Sequence, residues 1–216
     1  MNFEKKKSCS PGYDGFTATP PKKLKHQIAK LLALLFNISL TSGVLSTAWK
    51  RGIVIPIFTK GDKSSSANYR PISLTSIICK LMESIIKDSI LSYLNKNNLI
   101  YSKQYGFMPK KSTNTQLLRY FNDMSSHILN GSQVDSIYLD YSKAFDSIVH
   151  SKLLFKLEKY GIAGNLLLWL TSFLSNRLQT VKVNNSHSEW SDVHSGVPQI
   201  WAILKDWPYK SSEGFK

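Results

Sequence analysis

The sequence predicts an α+β fold, on three observations. Apolar residues recur at helical spacing in several long stretches. Short β-rich runs lie among them. The two kinds of segment do not follow the strict strand–helix–strand alternation of a doubly wound sheet. At 216 residues and 42% hydrophobic, the chain can bury a sizeable core, and its length suits one or two domains. No segment repeats another.

Residues 1–21 are polar, rich in Gly and Pro, and end in Pro20-Pro21, which marks a loose N-terminal segment. Ile28, Leu31, Leu32, Leu35 and Ile38 then recur at helical spacing and predict a helix, closed by Gly43. Ile53 to Phe58 is β-rich and runs into the charged turn Lys60-Gly61-Asp62-Lys63. A second helix starts near Ser76, with Ile77, Leu81, Ile85 and Leu94 along one face. Lys103 to Lys111 reads as a basic loop. Thr113 and Gln116 have capping-box spacing and predict a third helix running past Met124. Ser136 to Leu139 predicts a short strand ending on Asp140. Helices at 150–160 and 164–175 follow, separated by Gly161. Thr180–Val183 and Trp190–Val193 predict a hairpin around Asn184-Asn185.

Lys and Arg total 28 against 14 acidic residues, a formal net charge of +14. That excess points to an anionic partner, nucleic acid ahead of an acidic membrane surface. The charge recurs at Lys22, Lys23, Lys25, Lys50, Arg51, Lys60, Lys63, Lys110, Lys111, Arg177 and Lys182, a pattern that suits a folded basic groove better than a basic arm. The two cysteines, Cys9 and Cys79, form neither a zinc spacing nor a disulfide framework, and Cys79 reads as a small buried hydrophobe. The first residues lack the apolar core of a signal peptide. The apolar run Ile28 to Leu40 is too short to span a bilayer and contains Lys30. The expected location is therefore intracellular, cytoplasmic or nuclear, without a membrane.

The segment richest in chemistry is Leu139-Asp140-Tyr141-Ser142-Lys143-Ala144-Phe145-Asp146. A carboxylate at a strand end is fixed by the strand yet open to substrate, which suits a hard divalent cation. The plainer readings are a turn residue for Asp140 and a helix cap for Asp146. An aspartyl nucleophile of the phosphatase kind would want a second acid two residues on, where this chain has Ser142.

LDYSKAFD is similar to the first catalytic motif of reverse transcriptases from non-LTR (LINE-type) retrotransposons. Other blocks resemble that family in the same order. They are Trp49-Lys50, Val54 to Asp62 and Asn68 to Ser76, then Gln104-Tyr105-Gly106-Phe107 with Ser112-Thr113 and Gln116-Leu117. His150 with Leu153-Leu154, Tyr160-Gly161-Ile162, Phe173-Leu174, Arg177 with Gln179, and Ser195-Gly196-Val197-Pro198-Gln199 continue the series, which covers roughly residues 11–199.

The resemblance implies the fingers and partial palm of a right-hand polymerase: fingers over 22–135, partial palm over 136–199 and a non-matching tail over 200–216. It implies RNA-directed DNA polymerisation on an RNA template and a DNA primer, with deoxynucleoside triphosphates and Mg²⁺. Asp140 would bind the metal beside the backbone carbonyl of Tyr141. Phe145 would gate the sugar by excluding a 2′-hydroxyl. Arg70, helped by Lys60 or Lys63, would hold the triphosphate, and Gln199 would lie against nucleotide and template. Each role has a physical basis, because phosphoryl transfer develops charge that cations clamp and Arg presents a planar fork to phosphate. Tyr69 and Phe107 are placed either to stack on bases or to anchor loops.

Two departures shape the expectation. After Gln199 the family continues with Gly, where this chain has Ile200-Trp201, and the chain contains no adjacent Asp-Asp pair for the family's third catalytic motif. A two-metal mechanism needs carboxylates on both sides of the metals. The expectation is a truncated or frame-shifted copy that makes no DNA alone. The alternatives are a catalytically dead nucleic-acid-binding fragment and a non-functional remnant.

Overall fold

The structure, a computed structural model, describes residues 10–17, 23–140, 145–198 and 201. The expectations for Tyr141, Gln199, most of the loose segment and nearly all of the tail fall outside those residues. The elements in order are α1 (Lys25–Ser42), β1 (Arg51–Phe58), β2 (Tyr69–Leu74), α2 (Ile77–Lys96), α3 (Thr113–Leu129), α4 (His150–Lys159), α5 (Gly164–Leu174), β3 (Leu178–Val183), β4 (Ser186–His187) and β5 (Ser191–Asp192). This is the mixed α+β composition expected.

The small sheet is mixed. β1 pairs antiparallel with β2, Ile57 opposite Arg70 and Phe58 opposite Tyr69, and parallel with β3, Arg51 opposite Leu178. β4 and β5 both pair antiparallel with β3, at its two ends. The sequence pointed to one hairpin here; its turn at Asn184, in the left-handed region at φ 54°, is where expected, but the strand it returns is Ser186–His187. The second predicted strand forms as Ser191–Asp192 and pairs with Leu178 and Gln179. β2 was not anticipated: Pro71 breaks its β pattern, and its edge position makes the missing N–H harmless.

One core joins α1, α2, α4 and α5. Its most enclosed members include Leu45, Met82, Leu94, Trp169 and Phe173. Trp169 and Phe173 stack with centroids 5.4 Å apart, and Trp169 Nε1 donates to Ser39 Oγ at 3.0 Å. Gly43 ends α1 as predicted, at φ 67°, with Val44 N bonding back to Ser39 O at 3.2 Å. Gly43 also lets α5 approach, since a Cβ there would meet the Leu168 Cβ at 2.8 Å.

Packing sets one helix face and corrects another. In α1 the buried residues are Leu32, Phe36 and Ser39, while Leu31, Leu35 and Ile38 are exposed. This helix is apolar nearly all round, so spacing alone cannot choose the inner stripe; the packing against α5 chooses it. In α2, Ile77, Leu81 and Leu94 are buried as expected, but Ile85 is exposed. The third helix is capped one residue early: Ser112 is the N-cap, its Oγ accepting from Thr115 N, and Thr115 replaces the expected Gln116.

The predicted strand before Asp140 is absent. Residues 132–140 have no regular structure, and Ile137, Tyr138 and Leu139 are more than 80% exposed. A strand needs a paired neighbour, and among the described residues no strand pairs with this segment. It rests instead on α3, where Tyr138 Oη donates to Tyr120 Oη at 2.9 Å.

Candidate functional site

Lys60, Lys63 and Arg70 are gathered at one end of the β1–β2 ribbon. β1 ends at Phe58 and β2 begins at Tyr69, so the loop between them carries both lysines and Arg70 stands on the first pair but one of the ladder. The loop is internally tied. Thr59 N and Oγ1 both donate to Asn68 O, and Asn68 Nδ2 donates to Asp62 O at 2.9 Å. Gly61, at φ 88°, brings its backbone onto the Asn68 amide. Asp62 accepts from Ser64 N at 2.9 Å and Ser64 Oγ at 2.7 Å, and those bonds, the backbone one first, hold its carboxyl below the usual range. Tyr69 anchors the loop: its ring packs edge-on to Phe58 and its hydroxyl donates to Lys63 O at 2.9 Å. The loop-anchor reading of Tyr69 therefore holds. Lys60 and Arg70 are exposed and have no acceptor among the described residues. The result is three cations at one end of the ribbon: Lys60 and Lys63 on the tied loop, with Lys63 Nζ 5.7 Å over the Phe58 ring, and Arg70 on β2.

The second constellation joins segments about fifty residues apart in sequence. Val197 N donates to Phe145 O at 3.1 Å, Gly196 N to Ile148 O at 2.9 Å and Ser195 Oγ to Asp146 O at 2.8 Å. Val149 and Ser195 form an antiparallel bridge, and His150 Nε2 donates to Gly196 O at 2.7 Å. Gly196 stands at φ 86°, and a Cβ there would lie 3.0 Å from Asp146 Cα and 3.1 Å from Phe145 O. Only glycine suits that position. The clasp thus binds the end of the Leu139–Asp146 segment to the start of the Ser195–Gln199 segment. Asp146 does not cap α4, whose N-cap is Val149.

Phe145 is half-buried at the clasp. Its ring meets that of Phe107 edge-to-face at 6.0 Å. Phe107 and Lys110 both hold positive φ, 59° and 61°, a conformation costing non-glycine residues about 1 kcal/mol or more. Lys111 ties this loop together, its Nζ donating to Ser102 O at 2.8 Å and Gln104 O at 2.7 Å. Phe107 is thus engaged with the Phe145 ring.

Asp140 is exposed and makes no hydrogen bond or ion pair among the described residues. Those residues also hold no group of three or more His, Cys, Asp or Glu side chains able to share a metal. The donor set present is one carboxylate, which does not by itself make a Mg²⁺ site.

The expected dispersed basic surface is corrected at two positions. Lys50 and Arg177 are each only 8% exposed. Arg177 Cζ lies 4.7 Å over the Phe173 ring, and Nη1 donates to Phe173 O at 3.2 Å. They belong to a buried polar cluster that the sequence reading missed. Glu83, fully enclosed, accepts from Trp201 Nε1 at 3.1 Å and from Cys79 Sγ at 3.4 Å. Burial raises the Glu83 pKa, and the Arg177 charge opposes that rise; burial also lowers Arg177 and Lys50 and pushes the Cys79 thiol well up. The signal was legible: Glu83 shares the stripe Cys79–Glu83–Ile86–Ile90 of α2. Trp201, assigned to a non-matching tail, is a core residue, 2% exposed and against Phe173.

No helix among the described residues is long and apolar enough to cross a membrane. Residues 59–202 match the sequence profile of the reverse transcriptase (RNA-dependent DNA polymerase) family. The RNA-directed DNA polymerase from mobile element jockey of Drosophila melanogaster is 31% identical over 191 residues, which cover 88% of this chain and 21% of that protein. Its counterpart from Drosophila funebris is 29% identical over the same shares. The Pol polyprotein from type-1 retrotransposable element R2 of Popillia japonica is 24% identical over 89% of this chain and 26% of its own length. The chain therefore spans about a fifth of the length of the jockey polymerases it matches.

Proposed function

Because the chain belongs to the reverse transcriptase (RNA-dependent DNA polymerase) family, we propose that it supplies the nucleotide- and template-gripping part of a retrotransposon's RNA-directed DNA polymerase. The observation that supports this reading is the clasp, which brings Phe145–Ile148 and Ser195–Val197, the ends of two motif segments, together. On this reading residues 22–135 form the fingers and 136–199 part of the palm. Arg70, Lys60 and Lys63 meet the triphosphate of a deoxynucleoside triphosphate through charge-assisted hydrogen bonds. Phe145 excludes a 2′-hydroxyl by volume, and Gln199 lies against nucleotide and template. RNA template and DNA primer follow the basic surface.

The family generally uses divalent metal ions. Here Asp140 would supply one carboxylate toward a Mg²⁺ site, with the Tyr141 carbonyl assigned by resemblance alone, so no chemical step is assigned to this chain. It holds nucleotide and nucleic acid without completing phosphoryl transfer. With purified protein, RNA template, DNA primer, deoxynucleoside triphosphates and Mg²⁺, the expected result is primer–template binding without extension. Extension abolished by Asp140→Ala would overturn the second half of this reading; absence of binding would overturn the first.

A further inference from the structure

Three distant parts of the chain meet at Arg51, the first residue of β1. Its Cζ lies 5.1 Å from the centroid of the Tyr13 ring and 5.5 Å from that of Trp190. Its Nη1 donates to Tyr13 Oη at 3.0 Å. The two rings meet edge-to-face, centroids 5.1 Å apart and planes at 86°. The arrangement is anchored from behind: Gly12 sits so close to the backbone of Thr75 and Ser76 that a Cβ would fall 2.6 Å from the Thr75 carbonyl carbon.

The cluster remains open outward. Tyr13 is 45% exposed and Trp190 40%. Arg51 makes one side-chain hydrogen bond; its other N–H groups and the Trp190 Nε1–H have no acceptor among the described residues. Asp14, Glu189 and Asp192 lie nearby in sequence, yet none forms an ion pair with Arg51 among those residues. A guanidinium steered by two aromatic rings, with no carboxylate of the described residues on it and ring surface left in water, offers both halves of a nucleotide contact. Bases stack on aromatic faces, and Arg provides cation–π and phosphate contacts beside them.

We propose that Tyr13, Arg51 and Trp190 form a stacking site for an unpaired base of single-stranded nucleic acid, with Arg51 and the indole N–H on the adjoining phosphate. This rests on the nucleic-acid-binding reading above and adds a site apart from the residues named there. Tyr13 and Arg51 precede residue 59, where the family match begins. Arg51 and the loop of Lys60 and Lys63 stand at opposite ends of β1, about 23 Å apart for seven residue steps at ~3.3 Å each. The stacking site therefore stands one strand length from the proposed triphosphate grip.

The test is fluorescence anisotropy of the full chain with a labelled 12-nucleotide oligo(U) RNA and with an abasic backbone of the same length. Tyr13→Ala combined with Trp190→Ala is expected to weaken oligo(U) binding about tenfold and to leave the abasic strand unchanged; Trp190→Phe, which keeps a ring, stays within about twofold. Equal oligo(U) affinity in wild type and double variant overturns the stacking site and leaves the wider reading intact. Equal losses on both strands also overturn it, because the contact would then be to phosphate alone. No binding by wild type overturns the wider reading and this site with it. If the double variant fails to fold, indole quenching decides: emission lost on adding oligo(U) to wild type but not to Trp190→Phe supports the site, and identical quenching overturns it.

Discussion

The chain contains two regions of opposite character. In the first, α1, α2, α4 and α5 enclose Met82, Leu94, Trp169 and Phe173 with almost no exposure. In the second, α3 and residues 132–140, no side chain is buried, and Leu118, Phe121, Leu129 and Leu139 face outward. Both regions have apolar residues at regular spacing. The difference is that each helix of the first buries one apolar stripe within the described residues, although Leu31, Leu34 and Ile38 of α1 stay exposed, whereas the second buries none. A helix such as α3 draws most of its stability from packing, so its exposed stripe is a surface that something else must cover. Asp140, the carboxylate proposed to face a metal, lies in the second region.

That contrast can be broken by mutation. Trp169→Ala is expected to cost about 3–5 kcal/mol, whereas Leu118→Ala should change stability by less than about 0.5 kcal/mol; urea denaturation of the two variants measures both. Comparable losses would erase the distinction. Between these extremes lies the clasp. Gly196→Ala is expected to cost about 1–3 kcal/mol, because its φ of 86° and its approach to Asp146 leave no room for a Cβ. Hydrogen exchange should show faster opening at Val197 and Gly196 N–H, with α1 and α5 unaffected.

A smaller effect concerns the buried carboxyl of the packed region. Burial raises the Glu83 pKa above its ordinary 4.5. A carboxyl raised on folding contributes stability in full below its unfolded value and loses it as pH rises through the folded one. Thermal unfolding followed upward from about pH 4 should therefore carry a downward component from Glu83. Glu83→Gln keeps an oxygen for Trp201 Nε1 and should remove that component; an unchanged pH profile would contradict the assignment.

The sequence made the packed region largely legible, and the reason is local. Gly43, Ser76, Gly161 and the Asn184-Asn185 turn are stop, cap and turn residues whose chemistry acts within a few positions, and each stands where predicted. What long-range packing decides was less legible. Spacing in α1 could not choose between Leu32 with Phe36 and Leu31 with Ile38. The β pattern of Ser136–Leu139 could not supply the paired edge that a strand needs. The ordered motif blocks named segments expected at one site, and the clasp joins the ends of two of them. They gave no sign that Arg177 lies inward against Phe173, or that Trp201 reaches Glu83.

The grip on phosphate is tested most directly by deoxynucleoside triphosphate binding to the protein with primer–template bound, read by titration calorimetry. Replacing Lys60, Lys63 and Arg70 together by Ala should weaken nucleotide affinity about tenfold or more, because charge-assisted hydrogen bonds to the triphosphate are lost, and should weaken primer–template affinity much less. Unchanged nucleotide affinity in a folded triple variant would show that the end of the β1–β2 ribbon does not hold the triphosphate, and would contradict the proposed function.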